Sequence, residues 1–420
     1  MAPTDPLTDV VRAVRDALDG GPAYAPQPRL SDAVPPPGTA LVLRTSGSTG
    51  NPREVALSTA ALRASARATH ERLGGPGRWL LVLPPTHVAG IQVITRSLVT
   101  GKGVYPDTLD RFAPADFAAV ATDFADLLAH GPRAYVSLVP TQLHRLVTAA
   151  DGGDTAGLDA LTRFDAVLVG GAATPAPLLA RARAAGVHVV TTYGMSETSG
   201  GCVYDGVPLA GVRVRAADVE PGARSGATPG TGAGAVELSG PMLAEGYVGD
   251  PSATAAAFRT DADGARWFRT SDLGRLDDGR LTILGRADDV VVTGGVNVAP
   301  AAVEDVIAGH LAELGSPGEA CVVGVPDPEW GQAVVAVVAV GQALSGRVPA
   351  GGQGLTDGGG ELLAGLRTAV GQRLGTPAAP RRVYVTAALP ARGPGKVDRR
   401  AVRDAVVRAE RKAGREPVRP

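Results

Sequence analysis

At 420 residues, with 41 basic and 42 acidic side chains and a net charge of −1, the chain has room for two or more domains and lacks the basic clustering of a nucleic-acid binder. Its two cysteines, Cys202 and Cys321, make neither a disulfide framework nor a metal knuckle, which suits a reducing cytoplasm. Aromatics are only 4% against 56 glycines and 34 prolines, so the composition predicts an aliphatic core laced with tight loops. At the N-terminus no basic segment leads into an apolar run, and the longest apolar run, Ala333 to Val340, is far too short to cross a bilayer. Neither a signal peptide nor a membrane partner is expected.

Residues 1 to about 35 hold one weak amphipathic helix, Val10 to Leu18, and a Pro-rich lead-in. A buried strand at Ala40–Leu43 then feeds the loop Thr45-Ser46-Gly47-Ser48-Thr49-Gly50, and a helix from Ser58 to Leu73 follows with Ser58 as N-cap. From there to Thr192, strands at Trp79–Leu83, Gly103–Tyr105, Ala134–Leu138, Ala166–Val169 and Val187–Thr191 alternate with helices at Val88–Val99, Pro114–Ala129, Gln142–Ala149 and Pro175–Ala185. Strands buried on both faces and separated by helices predict a mainly parallel, doubly wound α/β sheet. Between Val203 and Gly285 the runs shorten to β type (Val212–Arg215, Ala235–Leu238, Trp267–Thr270) and end in an Asp278-Gly279 hairpin. The remainder reads as a small α+β unit with helices at Ala301–Leu314, Glu361–Leu374 and Asp398–Ala409 and strands at Glu319–Val325, Ala333–Val340 and Arg382–Val385. Within it, Gly341 to Gly360 is Gly-rich and is expected to be a mobile surface loop. These breaks predict an N-terminal domain of residues 1–287 with a β-rich subdomain, and a mobile C-terminal domain of residues 288–420.

Ligands of doubly wound sheets sit beyond the carboxyl ends of the strands, and the glycine-rich loops cluster there. The Thr45–Gly50 loop offers backbone N–H groups and hydroxyls to an anion, glycine allowing close approach. Motifs for a P-loop, a serine-hydrolase elbow, a zinc protease and a dithiol are all missing. What is present is an ordered series. Thr45–Arg53 is followed by Pro84-Pro85-Thr86-His87-Val88-Ala89-Gly90, Gly170-Gly171-Ala172 and Thr192-Tyr193-Gly194-Met195-Ser196-Glu197-Thr198. Then come Thr270-Ser271-Asp272-Leu273-Gly274, Gly285-Arg286-Ala287-Asp288-Asp289, Gly294–Val298 and Gly395-Lys396-Val397-Asp398-Arg399.

From about Leu41 to Arg400 this series resembles the adenylate-forming superfamily of acyl-CoA ligases, luciferases and adenylation domains. The resemblance implies that Thr45, Ser46, Gly47, Ser48, Thr49 and Gly50 wrap the β- and γ-phosphates of ATP. It implies an adenine stacked on Tyr193 with Gly171, Ala172 and Thr192 around it, a ribose held by Asp272 and Arg286, and Gly194 and Ser196 among the other ATP-binding residues. Glu197 would bind Mg2+, and Lys396 would bridge the attacking carboxylate and the α-phosphate; Lys396, Glu197 and Thr49 are the expected catalytic residues. Asp288 matches the hinge of a C-terminal domain that swings between adenylation and thiol transfer. Arg53 and Glu54 stand where the family usually has Lys and Gly; Arg keeps the charge and can fork onto phosphate.

The Tyr193–Leu209 stretch and the short chain resemble the o-succinylbenzoate–CoA ligases of menaquinone biosynthesis. Ser199, Gly200 and Gly201 would then leave room for a planar ring and offer N–H groups to a second carboxylate, with Gly171 and His87 also on the acyl side. The expected partners are a small carboxylic acid, ATP and CoA. No nucleic acid or membrane partner is expected; the location is cytoplasmic and the oligomeric state, a homodimer included, stays open. Alternatives are another aryl- or acyl-CoA ligase, an enzyme that loads a carrier-protein thiol, and an inactive nucleotide-binding regulator.

Overall fold

The computed structural model describes residues 6–45, 52–106, 112–129, 131–217, 233–316, 318–340, 354–392 and 396–414. Among these, seven strands form one sheet in the order Val104–Pro106, Gly77–Leu81, Arg133–Leu138, Ala166–Gly170, Val189–Met195, Gly200–Tyr204, Val207–Pro208. The first five run parallel and the last two antiparallel. Successive side chains on a strand point to opposite faces, so each strand feeds two cores. Leu80, Val136, Val167 and Val169 pack with the helices Pro114–Leu127, Pro140–Asp151 and Ala176–Ala184. Trp79, Leu81, Tyr135, Leu168 and Val190 pack on the other face with Thr59–Arg72 and Val88–Val99. The doubly wound sheet follows from that alternation. Ser58 caps its helix as predicted, its hydroxyl accepting from Ala61 N at 3.3 Å, an arrangement worth about 1 kcal/mol.

One local expectation changes. Thr39–Arg44 does not lead through the Gly/Ser/Thr loop directly into a helix. It pairs antiparallel with a strand at Glu54–Ser58, with Arg44 opposite Glu54, and both stand in a small sheet with Gly246–Tyr247. The two strands on either side of residues 46–51 are therefore neighbours in one sheet. Glu54, which disguises this strand in the sequence, is buried because Arg29 Nε and Leu30 N both donate to its Oε1 at 2.7 Å.

Arg213–Ala217, Ala233–Ser239, Arg266–Asp277, Phe258–Thr260 and Arg280–Arg286 form a separate antiparallel sheet. Its Asp278-Gly279 turn has positive φ at both residues (48° and 77°), the primed geometry that Asp-Gly tolerates.

After Arg286 a mixed sheet takes over, in the order Gly318–Asp327, Gly331–Val340, Arg382–Thr386, Thr356–Asp357. Pro300–Glu313 and Gly359–Leu374 cover one face and Arg399–Lys412 the other. The loop expected from Gly341 to Gly360 is shorter than predicted: Thr356–Asp357 pairs with Arg382–Thr386, and the helix already begins at Gly359. Residues 341–353 lie outside the described residues. Among the described residues, the buried clusters up to Leu281 and those from Val291 onward share no side chain.

Candidate active site

The ends of the two paired strands are tied by Thr45 N donating to Arg53 O at 2.8 Å and Arg53 N donating to Thr45 Oγ1 at 3.0 Å. Ser46, Gly47, Ser48, Thr49 and Gly50 lie outside the described residues. Arg53 is exposed and its guanidinium sits 5.1 Å from the Tyr247 ring centre. The Tyr247 hydroxyl donates to Glu197 Oε1 at 3.0 Å. Glu197 is buried in the short turn Ser196–Thr198, and burial pushes its carboxyl above the usual range against the pull of Tyr247, Arg53 and Arg286.

Across the site, Tyr193 on the Val189–Met195 strand donates its hydroxyl to Asp272 Oδ2 at 2.8 Å. Burial and this carboxylate hold the phenol well above its ordinary pKa. Asp272 stands opposite Arg286 in the adjoining ladder, with Nη1 at 3.7 Å from Oδ1. Burial raises the Asp272 carboxyl, while Tyr193, Arg286 and Lys396 act to lower it. Thr192, Gly194 and Ser196 flank Tyr193 in the same strand and turn. Gly194 is a steric necessity, since a Cβ there would lie 2.1 Å from Gly200 O.

Lys396 reaches this group from the far end of the chain. It is exposed on the short strand Lys396–Val397, just ahead of a helix capped by Asp398. Gly171, at φ 84°, faces it: a Cβ there would stand 3.8 Å from Lys396 Cε. Its neighbour Ala172 is exposed. His87 begins the helix Val88–Val99 and shares a 3.0 Å hydrogen bond between Nδ1 and Thr86 Oγ1. Burial, and then Lys396, lower its pKa. The structure thus joins Thr45, Tyr193, Glu197, Asp272 and Arg286 with Lys396, His87 and Gly171, drawn from seven separated motifs.

Ser199 behaves differently from expectation. It is fully buried at a left-handed φ of 50°, its N–H donates to Ser196 O at 3.1 Å and its hydroxyl to Met242 O at 2.9 Å. Its donors are engaged within the fold. Gly200 and Gly201 belong to a strand that the sequence reading did not separate from the loop. A Cβ on Gly200 would meet Gln92 Cγ at 3.1 Å and Val88 Cγ2 at 3.8 Å, so Gly200 holds space against one face of the Val88–Val99 helix, whereas a Cβ on Gly201 would meet Tyr204 at 3.0 Å and Thr192 at 3.2 Å.

Two turns along that face lies Arg96, which the sequence reading missed. Arg96 is buried, its Nη2 donates to Tyr204 OH at 3.2 Å, and it stacks 4.8 Å from the Trp79 ring centre. Burial lowers its pKa, and among the described residues it has no carboxylate partner and its Nε is unpaired. His70, which accepts from Trp79 Nε1 at 3.1 Å, is held down to about 4 by burial and by Arg96. An arginine within the apolar run Ile91–Val99 was the available signal; buried arginines are rare unless paired. Tyr247 was also missed, in a stretch with no motif character.

Among the described residues no group of three or more His, Cys, Asp or Glu side chains could hold a metal unaided. A single carboxylate such as Glu197 would suit a cation that keeps its waters and arrives on phosphate oxygens, as magnesium does.

Residues 5–248 match the profile of the AMP-binding enzyme family, and residues 302–396 that of its C-terminal domain. The chain is 42% identical over 370 residues to a probable 2-succinylbenzoate–CoA ligase of Mycobacterium tuberculosis, covering 86% of this chain and 83% of the relative. It is 33% identical over 418 residues to a medium/long-chain-fatty-acid–CoA ligase of the same organism, covering 95% and 67%. The fold superposes on the o-succinylbenzoate CoA synthetase of Bacillus subtilis in complex with the acyl-adenylate OSB-AMP, with a TM-score of 0.67 and 27% identity over 87% of this chain and 68% of that one. On this sequence and structural similarity, the chain belongs to the AMP-binding enzyme family, the adenylate-forming enzymes whose motif series it carries.

Proposed function

We propose that the chain is an AMP-forming acid–CoA ligase acting on o-succinylbenzoate. The observation that carries the reaction type is Lys396, brought from the C-terminal unit to face Gly171 close enough to influence both His87 and Asp272. In this reading Thr45 to Gly50 hold the β- and γ-phosphates, Tyr193 stacks on adenine, and Gly171, Ala172, Thr192, Gly194 and Ser196 frame the base. Asp272 and Arg286 take the ribose hydroxyls. Glu197 would hold magnesium, which would supply neutralisation of the phosphate charge. A carboxylate attacks the α-phosphorus of ATP and pyrophosphate leaves; the thiol of CoA then displaces AMP from the acyl-adenylate. Lys396 stabilises charge developing in the first step, and no protein nucleophile is needed. Asp288 serves as hinge between residues 1–287 and 288–420.

Arg96 supports a dianionic acid. A buried guanidinium with no carboxylate partner of its own is costly to the free protein, and a second substrate carboxylate would offset that cost. His87, Gly171, Gly200 and Gly201 line the acyl side, with Ser199 holding the loop through its bonds to Ser196 and Met242. No helix among the described residues is long and apolar enough to cross a membrane, and a reaction that consumes ATP and CoA belongs to the cytoplasm. The deciding experiment is ATP–pyrophosphate exchange with o-succinylbenzoate, benzoates and fatty acids, followed by thioester formation with CoA. Higher kcat/KM for plain benzoate or a fatty acid would overturn the acid and leave the reaction class.

A further inference from the structure

We propose that Arg399 is a positioning residue that joins the pivot of the C-terminal unit to the arm carrying Lys396. This rests on the ligase reading and on Asp288 as hinge. At the junction stand two adjacent acids, and each is held by an arginine from a different side. Asp288 Oδ2 lies 3.1 Å from Arg286 Nη2, and Arg286 also approaches Asp272, 3.7 Å away, in the antiparallel sheet before the junction. Asp289 Oδ2 lies 3.3 Å from Arg399 Nε, beyond it. The torsions between the two carboxylates therefore lie between the two anchored sides, spanned by one long backbone hydrogen bond from Val290 N to Ala287 O at 3.4 Å. A swing confined to so few bonds is how a hinge absorbs a large rotation.

Arg399 holds its side through an array that a point charge could not make. Nη1 and Nη2 fork onto both oxygens of Glu304, Nη2 at 3.1 Å from Oε2, and Nη1 also donates to Val322 O. Glu304 in turn accepts from Val322 N at 2.7 Å, so the guanidinium is pinned to the helix Pro300–Glu313 and to the strand Gly318–Asp327 together. Its pKa is strongly raised: Glu304, Cys321 and Asp289 more than offset its burial. Arg399 opens the helix whose cap, Asp398, directly follows the Lys396–Val397 strand. Only two residues, Val397 and Asp398, therefore separate the group that fixes the pivot from the lysine that must meet the α-phosphate. A loss of rigidity at Asp289 becomes a loss of aim at Lys396. A misplacement of about 1 Å can cost on the order of a hundredfold in rate.

The test uses the full chain with Asp289→Asn, Arg399→Lys and both together, each in the wild-type and Lys396→Ala backgrounds. In ATP–pyrophosphate exchange each single variant should lose about tenfold, the double variant no more than either, and neither should lose more than about twofold once Lys396 is absent. Equal losses in both backgrounds would overturn the proposal, because the link would then act elsewhere. Hydrogen exchange reads the coupling without turnover: Asp289→Asn should speed exchange at the amides of residues 396–402 by about fivefold or more, leaving the Gly331–Val340 strand unchanged. Unchanged protection at 396–402 would overturn it as well. Absence of pyrophosphate exchange by the wild-type chain with every acid would refute the ligase reading alone, and hydrogen exchange would still decide the link.

Discussion

The hydroxyl of Tyr247 donates to Glu197 at 3.0 Å while the guanidinium of Arg53 lies over the ring of the same tyrosine. One aromatic side chain thus ties Arg53, paired through its backbone with Thr45, to the carboxylate proposed to hold magnesium. Tyr247→Phe keeps the ring, and with it the contact to Phe258, but removes the donor. A hydrogen bond to a charged group is worth about 1.5–3 kcal/mol, so the concentration of magnesium giving half-maximal exchange should rise by roughly tenfold. An unchanged magnesium requirement would dissociate Tyr247 from the metal.

Lys396→Ala should cost adenylation on the order of a hundredfold or more, by removing a cation aimed at developing charge. Given isolated acyl-adenylate and CoA, the same variant should form thioester at close to the wild-type rate. Rapid-quench assays of the two half-reactions check this, and equal losses in both would move Lys396 out of the adenylation step.

For Arg96→Met the two effects have opposite signs. Use of o-succinylbenzoate should fall by about a hundredfold in kcat/KM, while any residual use of monocarboxylates should be little changed, because only the dianion loses a partner. The free protein should be at least as resistant to heat, since a buried charge without a carboxylate has been replaced by an apolar side chain of similar length. A variant that loses both acids equally would place Arg96 in the packing alone.

His70 gives a pH dependence. Its folded pKa is about 4 against an ordinary 6.5, so the unfolded chain binds more protons between those values. That makes stability contributed by neutral His70 present above about 6.5 and lost as the pH falls towards 4. His70→Gln keeps an acceptor for Trp79 Nε1 and removes the titration. Urea midpoints measured from pH 7 to pH 4 should therefore decline less steeply in the variant.

That several separated motifs belong to one site was legible in the sequence. Tyr193, Glu197, Asp272, Arg286 and Lys396 each stand in a recognisable string, and the structure assembles all of them around one space. The regular alternation of apolar runs gave away the parallel sheet for the same reason: each strand must satisfy two cores at once. What escaped was set by partners far away. The Glu54–Ser58 strand opens with a carboxylate that reads as exposed until Arg29 and the Leu30 N–H are brought to it. Arg96 was an anomaly without meaning because Tyr204, its hydrogen-bond acceptor, stands 108 residues on. Ser199 looked like a free donor, and only the left-handed turn shows where its hydrogen bonds go.

The separation of the buried clusters at about residue 285 has a calorimetric consequence. Side chains that share no core have little reason to melt together, so heating should reveal two cooperative units and not one. Contacts between the units include Lys396 facing Gly171 and the approach of the helix Pro300–Glu313 to the helix Ala176–Ala184 and to Gly285. A molecule seated there binds the joined form and neither melted half, so it should draw the two heat-absorption peaks towards one another by mass action. An acyl-adenylate mimic without a transferable acyl group would then act as a thermal staple between the halves, and the merging of the peaks would titrate with its concentration.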